Sequence, residues 1–242
     1  MTRIEYLGAG PRGADPHVPE TRFGLWFLKT ETWVEHVLER AIADLDRLIV
    51  DRRDRYPVIV DVGCGWGRSF KLLHDRFRPA RMIGIDVDAA LLEAAATEAS
   101  KHGLPVEFER TSSTHLTLPG QSVDIVFCHQ TFHHLIEQEA ALREFHRVLR
   151  PGGLLLFAES TRKYIDSWII RLLFRHPMEV QRTAGEYLAM IGNAGFSVSP
   201  ASISYPYLWW SRSDLGILER WFGKPPSAGR EETLINLVAV RP

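Results

Sequence analysis

Apolar residues along this chain follow two alternating rhythms. Val58–Val62, Met82–Asp86, 105–109, Val123–Phe127 and 153–158 are short compact runs, suited to strands covered on both faces. Between them, 67–77, 88–101 and 137–149 have helical spacing, as with Phe70, Leu73 and Phe77. This alternation predicts an α/β, doubly wound parallel sheet with helices on both faces, its ligands at the carboxyl ends of the strands. Upstream, Trp33, Val34, Val37, Leu38, Ile42, Leu45, Leu48 and Ile49 predict one amphipathic helix over Thr30–Arg53, after an irregular, Gly- and Pro-rich stretch at 1–20. Downstream, 160–182 breaks the rhythm with mixed aromatic and basic residues. A helix over 185–194 and a strand over Thr233–Val240 follow. The expected division is 1–56 as an irregular segment and a helix capping the core, and 57–242 as the main domain, with a helical, aromatic insertion at about 160–185.

The first strand ends in Asp61 and runs into Gly63, Gly65 and Gly67. Glycines there let the backbone turn sharply and approach a ligand where a Cβ would collide. The pattern D-x-G-x-G-x-G is tighter than the dinucleotide fingerprint G-x-G-x-x-G, and the G-K-[ST] ending of a triphosphate loop is missing. Asp61 would repel a pyrophosphate but suits a ligand bearing a positive amine. Asp86 ends the second strand 19 residues past Gly67, where a carboxylate can accept both hydroxyls of a ribose. An alternative use of Asp86 is as N-cap of the helix beginning near Asp88.

With Asp61 through Gly67 and Asp86 in place, two further pieces complete a pattern. They are Val123–Phe127 followed by Cys128-His129-Gln130, and the helix–turn–strand Arg147-Val148-Leu149-Arg150-Pro151-Gly152-Gly153-Leu154-Leu155-Leu156. In this order and spacing the chain resembles the class I S-adenosylmethionine-dependent methyltransferases, over about 57–158 and again near 187–196. The resemblance implies a seven-stranded, mostly parallel Rossmann-like sheet with an antiparallel last strand, and S-adenosyl-L-methionine as cofactor. It places the glycine loop, with Cys64, against the methionine portion, Asp86 on the ribose, Val87 on the adenine and His129 beside the cofactor. Family members often carry an acid ahead of the third-to-fourth strand link. Here Arg110-Thr111-Ser112-Ser113-Thr114-His115 has none, leaving Ser113 or Thr114 as a neutral acceptor for the adenine amine.

Methyl transfer is an in-line displacement needing mainly proximity, with a base only where the acceptor arrives protonated. His133 and His134 are the candidate catalytic residues, standing where related enzymes often carry a histidine, and His134 is the first choice as base. Cys128, His129 and His133 also invite a metal reading, with His129 and His133 at i, i+4. No CxxC or HExxH accompanies them, so no metal is expected.

Bulk properties narrow the partners. With 29 Lys and Arg against 30 Asp and Glu, the net charge of −1 gives no general pull toward nucleic acid. No Asn/Asp-Pro-Pro-Tyr-type motif follows the fourth strand either; His129-Gln130-Thr131-Phe132 stands there. Two cysteines, Cys64 and Cys128, suit reduced thiols and a cytoplasmic location, where they serve as small apolar fillers. No signal peptide is recognised at the N-terminus, and Trp168–Phe174 is too short to span a bilayer, though it suits a membrane surface. Aromatic residues at 23–33 and 205–222 suit both core packing and the walls of an apolar or aromatic acceptor's site. The expected partner is therefore a small molecule, without nucleic acid or stable membrane insertion, and a homodimer stays open. Two other functions remain: a regulatory protein that binds S-adenosylmethionine without catalysis, and a nicotinamide-dependent oxidoreductase, for which neither the loop nor a Tyr-Lys pair is evident.

Overall fold

A computed structural model of the chain describes residues 21–206, 217–224 and 232–242. Seven strands form one sheet: β1 (Val58–Val62), β2 (Arg81–Asp86), β3 (Val106–Arg110), β4 (Val123–His129), β5 (Leu149–Ser160), β6 (Ser197–Ser204) and β7 (Leu234–Val240). Their order across the sheet is β3-β2-β1-β4-β5-β7-β6. The first five pair in parallel, and β7 runs antiparallel to both β5 and β6, as the sequence resemblance implied. Chain direction across the sheet reverses between β1 and β4, the switch point where doubly wound folds bind ligands.

Helices cover both faces. On one lie α3 (Glu39–Leu48), α4 (Phe70–Phe77) and α5 (Ala89–Lys101), which bury Leu45, Phe70, Leu73, Phe77, Leu92 and Ala95. On the other, α6 (Gln138–Val148) and α9 (Ala184–Asn193) bury Leu142, Phe145, Tyr187 and Ile191. A capping box opens α9 (Ala184–Asn193), where the Thr183 side chain accepts the Glu186 N–H and the Glu186 carboxylate accepts the Thr183 N–H. A buried acid in β4, Asp124, is structural. One of its oxygens accepts the Val58 N–H at 2.8 Å, and the other pairs with Arg150 at 3.0 Å, locking the entry of β1 beside β4.

Several boundaries differ from the sequence reading. The helix expected over Thr30–Arg53 is α1 (Arg22–Leu28), a break, then α2 (Glu31–Trp33), a π turn at Val34–Leu38 and α3. The Thr30 hydroxyl caps α2 by accepting the Trp33 N–H, which starts a new helix rather than continuing the first. The helix expected from 67 starts at Phe70 because the glycine loop runs on to Gly67. Asp86 does not cap α5; Asp88 does, accepting from Ala90 and Leu91. The aromatic stretch at 160–182 holds α7 (Arg162–Ile165), α8 (Trp168–Leu173) and a 3-10 turn at Met178–Val180. A last helix, α10, covers Ile217–Phe222. The irregular stretch 1–20 and the aromatics Tyr207, Trp209 and Trp210 lie outside the described residues. Among the described residues no helix is long and apolar enough to cross a membrane.

Candidate active site

The glycine loop leaves β1 in a left-handed conformation. Gly63, Gly65 and Gly67 have φ of 70°, 51° and 72°, a region open to glycine at little cost. The loop is anchored to β2, since the N–H groups of Gly63 and Cys64 both donate to the Ile85 carbonyl at 2.8 and 3.0 Å. At Gly63 a Cβ would stand 2.3 Å from the Thr131 side chain, so the bare backbone is demanded by close approach to the loop after β4. At Gly65 nothing lies within 4 Å of a Cβ; there the backbone faces open space.

That space is a cavity of about 500 Å³ at the switch point, lined by both loops, within the range of small-molecule sites. Its walls include Asp61, Gly63, Cys64, Gly65, Asp86, Val87, Ser113, Thr114, His129 and His134, which the sequence singled out. Gly67 lies behind the loop, closing it by donating to the Cys64 carbonyl at 2.8 Å, and His133 faces a smaller neighbouring cavity.

Two carboxylates flank the loop. Asp61 is buried and accepts the Ser69 hydroxyl, which therefore does not cap α4. Burial, opposed by that hydrogen bond and reinforced by the charge of Asp86, pushes its carboxyl up to about 7. Asp86 accepts the Gly65 N–H on one oxygen and the Asp88 N–H on the other, both at 3.0 Å. Each oxygen keeps a lone pair for a further donor. Burial raises this carboxyl too, against the pull of those N–H groups.

Along the far wall, Ser113 Oγ is buried and lacks a hydrogen-bond partner, while Thr114 Oγ1 is engaged with Ser112 Oγ at 2.7 Å. The His129 ring is stacked on Phe127 and meets Trp33 edge-on. Burial, aided by the nearby His133, drives it down to about 3, so it is neutral, and its Nε2 is buried without a partner.

The N-terminal helices form the roof through Leu25, Leu28 and Trp33. Arg68 beyond the loop pairs with Glu31 of α2 and, at 3.3 Å, with Glu98, while Lys29 lies 5.0 Å from the Trp66 ring.

After β4 the chain turns through a 3-10 segment at Phe132–His134. Glu159 of β5, fully buried, organises this turn. It accepts the Thr131 and Phe132 N–H groups at 2.8 Å each, contacts His133 Nδ1 at 2.6 Å and accepts the Cys128 thiol at 3.8 Å. The Cys128 thiol thus meets the same carboxylate as His133 and is not among the side chains that gather as a possible ligand set. His133, His134 and His176 instead gather together, with ring centroids 4.2 to 5.1 Å apart and ring planes inclined by 25° to 42°. Burial, with the charge of His133 beside it, lowers His176 to about 3. Sequence reasoning missed Glu159, His176, Ser69 and Thr131. An acid inside the apolar run of β5 was a readable signal for the first; nothing local marked the others.

Residues 60–157 match the methyltransferase domain family. Malonyl-[acyl-carrier protein] O-methyltransferase 1 of Coxiella burnetii is 36% identical over 124 residues, which is 50% of this chain and 40% of that protein. Fatty-acid O-methyltransferase of Mycolicibacterium smegmatis is 31% identical over 111 residues, 46% of this chain and 40% of that protein. The chain spans less than half the length of these relatives. Among solved structures, a SAM-dependent methyltransferase from Aquifex aeolicus superimposes with a TM-score of 0.61 at 19% identity, covering 90% of this chain and 97% of that one. The [4+2]-cyclase SpnF gives 0.63 at 22% identity, covering 86% and 82%. At such identities these two share the fold.

Proposed function

We propose that this chain, whose residues 60–157 match the methyltransferase domain family, is a class I S-adenosylmethionine-dependent methyltransferase that moves a methyl group to a small organic acceptor with an apolar or aromatic body. The observation that carries the reading is the cavity at the switch point, where open backbone at Gly65 stands between two buried carboxylates and opposite a hydroxyl with no partner.

The residues fit the cofactor group by group. Asp61 suits the α-amine, whose positive charge would hold that carboxyl ionised in spite of its burial. Asp86 has lone pairs left for the ribose hydroxyls, and Val87, half exposed on the wall, offers an apolar surface to the adenine. Ser113 Oγ suits the adenine amine, where binding would end its isolation. S-adenosylmethionine brings a methyl group on a sulfonium, activated for in-line displacement, so the protein's task is mainly placement. Leu25, Leu28 and Trp33 keep water from the reacting atoms and give the acceptor apolar walls. Where the acceptor arrives protonated, proton removal falls to the histidine cluster, of which His134 is the member on the main cavity's wall.

The relatives' names give acceptors as unlike as malonyl-[acyl-carrier protein], trans-aconitate and fatty acid, so they support methyl transfer while the apolar acceptor body rests on the cavity walls alone. The test is calorimetry with S-adenosylhomocysteine, followed by turnover across a panel of hydroxyl, carboxyl and amine acceptors. Micromolar binding with transfer to at least one acceptor is expected. Binding with no transfer across the panel would favour a regulatory binding protein, and absence of binding would overturn the reading.

A further inference from the structure

His133, His134 and His176 form a cluster that the cofactor reading does not use. One ring nitrogen from each lies within 4.8 Å of the others. His133 and His134 come from the turn after β4, and His176 from the segment after α8, so 42 residues of chain are folded back to bring the third ring in. We propose that these three imidazoles bind a divalent transition metal of the zinc type, at the border between the cofactor cavity and its smaller neighbour.

Four observations support such a site. First, the ligand set is right. Three imidazoles with a fourth position open make the arrangement of catalytic zinc, and nitrogen donors suit that class of ion. Nitrogens on a tetrahedral zinc stand roughly 3.3 Å apart, so the rings would draw in by about an ångström or so on binding. Second, His133 has the outer partner that metal-bound histidines ordinarily have. Glu159 contacts its Nδ1 at 2.6 Å, fixing the tautomer and leaving Nε2 for an ion. Glu159 is itself immobilised by the Thr131 and Phe132 N–H groups.

Third, the two segments that carry the rings are fastened together by buried amides. Gln181 Nε2 donates to the His133 carbonyl at 2.9 Å and to the Pro177 carbonyl at 2.7 Å. Gln138 Nε2 donates to Phe132 and Val180 in the same manner, at 3.2 and 3.0 Å. The stretch just after His176 is therefore fastened to the turn by two side-chain amides, independent of any contact between the rings. Fourth, there is room. A cavity of about 80 Å³ adjoins all three rings and shares Trp33, Gln130 and His134 with the main one. An ion there could take a water, or an oxygen or sulfur of the acceptor, at its open position.

This role deepens the methyl-transfer reading and rests on it, whereas the metal site itself does not. An acceptor hydroxyl or thiol binding at the ion would release its proton to water more readily, because the dipositive charge favours the anion. With an ion bound, His134 serves as a ligand, and the proton-removing role given to it above applies only to the metal-free site. A carboxylate acceptor would need only the placement.

The test uses the full chain, stripped with a chelator and titrated with zinc and, separately, cobalt(II). One equivalent of zinc is expected by calorimetry, and cobalt should give the visible absorption bands of a four- or five-coordinate nitrogen site. His176→Ala should abolish the cobalt bands and weaken zinc binding by more than roughly 100-fold, while Glu159→Gln, one shell further out, should cost roughly 10- to 100-fold. His176 is off the main cavity's wall, so His176→Ala should keep its affinity for S-adenosylhomocysteine, which also reports that it is folded. Substoichiometric zinc in the wild type, or equal zinc binding by His176→Ala, would overturn the proposal. Loss of S-adenosylhomocysteine binding in the wild type would strike the methyl-transfer reading alone.

Discussion

Asp61 is an ionisable group held where it is least comfortable without a ligand. Its carboxyl is raised from 3.8 to about 7 by burial, so the folded protein keeps that proton across a pH range in which the unfolded chain gives it up. Stability must then fall as pH rises from about 4 to about 7, and stay lower above. A shift of about three units at about 1.4 kcal/mol each corresponds to about 4 kcal/mol. Asp61→Asn cannot ionise, and its amide oxygen can still accept the Ser69 hydroxyl. The ligand-free variant should therefore be more stable than wild type at pH 8 by about 2–4 kcal/mol, with the gap closing toward pH 4. Urea denaturation at pH 4.5, 6 and 8 measures this directly. The same substitution should weaken S-adenosylhomocysteine binding by about 1.5–3 kcal/mol, the value of a hydrogen bond to a charged group. Wild-type affinity should rise with pH up to about 7 and then level. A variant no more stable than wild type at pH 8, or a gap that does not change with pH, would refute the account of Asp61 as a desolvated charge awaiting a cation.

Further substitutions probe the rest of the site. Gly63→Ala should lose several kcal/mol of stability in a thermal or urea melt, because its Cβ meets Thr131 at 2.3 Å. Gly65→Ala has space and should cost only about 1–2 kcal/mol for the left-handed backbone, while lowering S-adenosylhomocysteine affinity by calorimetry, since the methyl group enters the cavity. Asp86→Ala removes the acceptor of the Gly65 N–H and should weaken the same binding by about 1–3 kcal/mol. Ser113→Ala should leave stability equal or slightly higher, because it deletes a buried hydroxyl with no partner, yet reduce affinity by about 1 kcal/mol. Glu159→Ala strands two backbone N–H groups and the His133 ring, and should destabilise by about 3–5 kcal/mol in denaturant.

The central sheet and the cofactor side of the cavity were legible because their signals are local. Val58–Val62, the glycines after it and Asp86 lie within one strand–loop–helix–strand unit, where spacing in sequence is nearly spacing in space. Ser113 and Thr114 were singled out by the resemblance, as the neutral acceptors where relatives often carry an acid, and they line the cavity. The other side of the cavity was not legible in that way. His176 reaches His133 through a long excursion across α7 and α8, and no periodicity encodes such a return. Cys128 was grouped with the imidazoles by nearness in sequence, but its thiol is engaged with Glu159, whose other oxygen meets His133. The break at Thr30 between α1 and α2 was hidden by a continuous apolar stripe, although Thr30 is a favoured cap.

The roof over the cavity is fastened to its floor by charge. Leu25, Leu28 and Trp33 are held down where Arg68 meets Glu31 and where Lys29 sits over Trp66. A ligand that passes beneath this roof does so more easily when those contacts part. Their strength depends on ionic screening, so concentrated salt should shorten the residence time of bound nucleoside far more than it alters the contacts made deep inside.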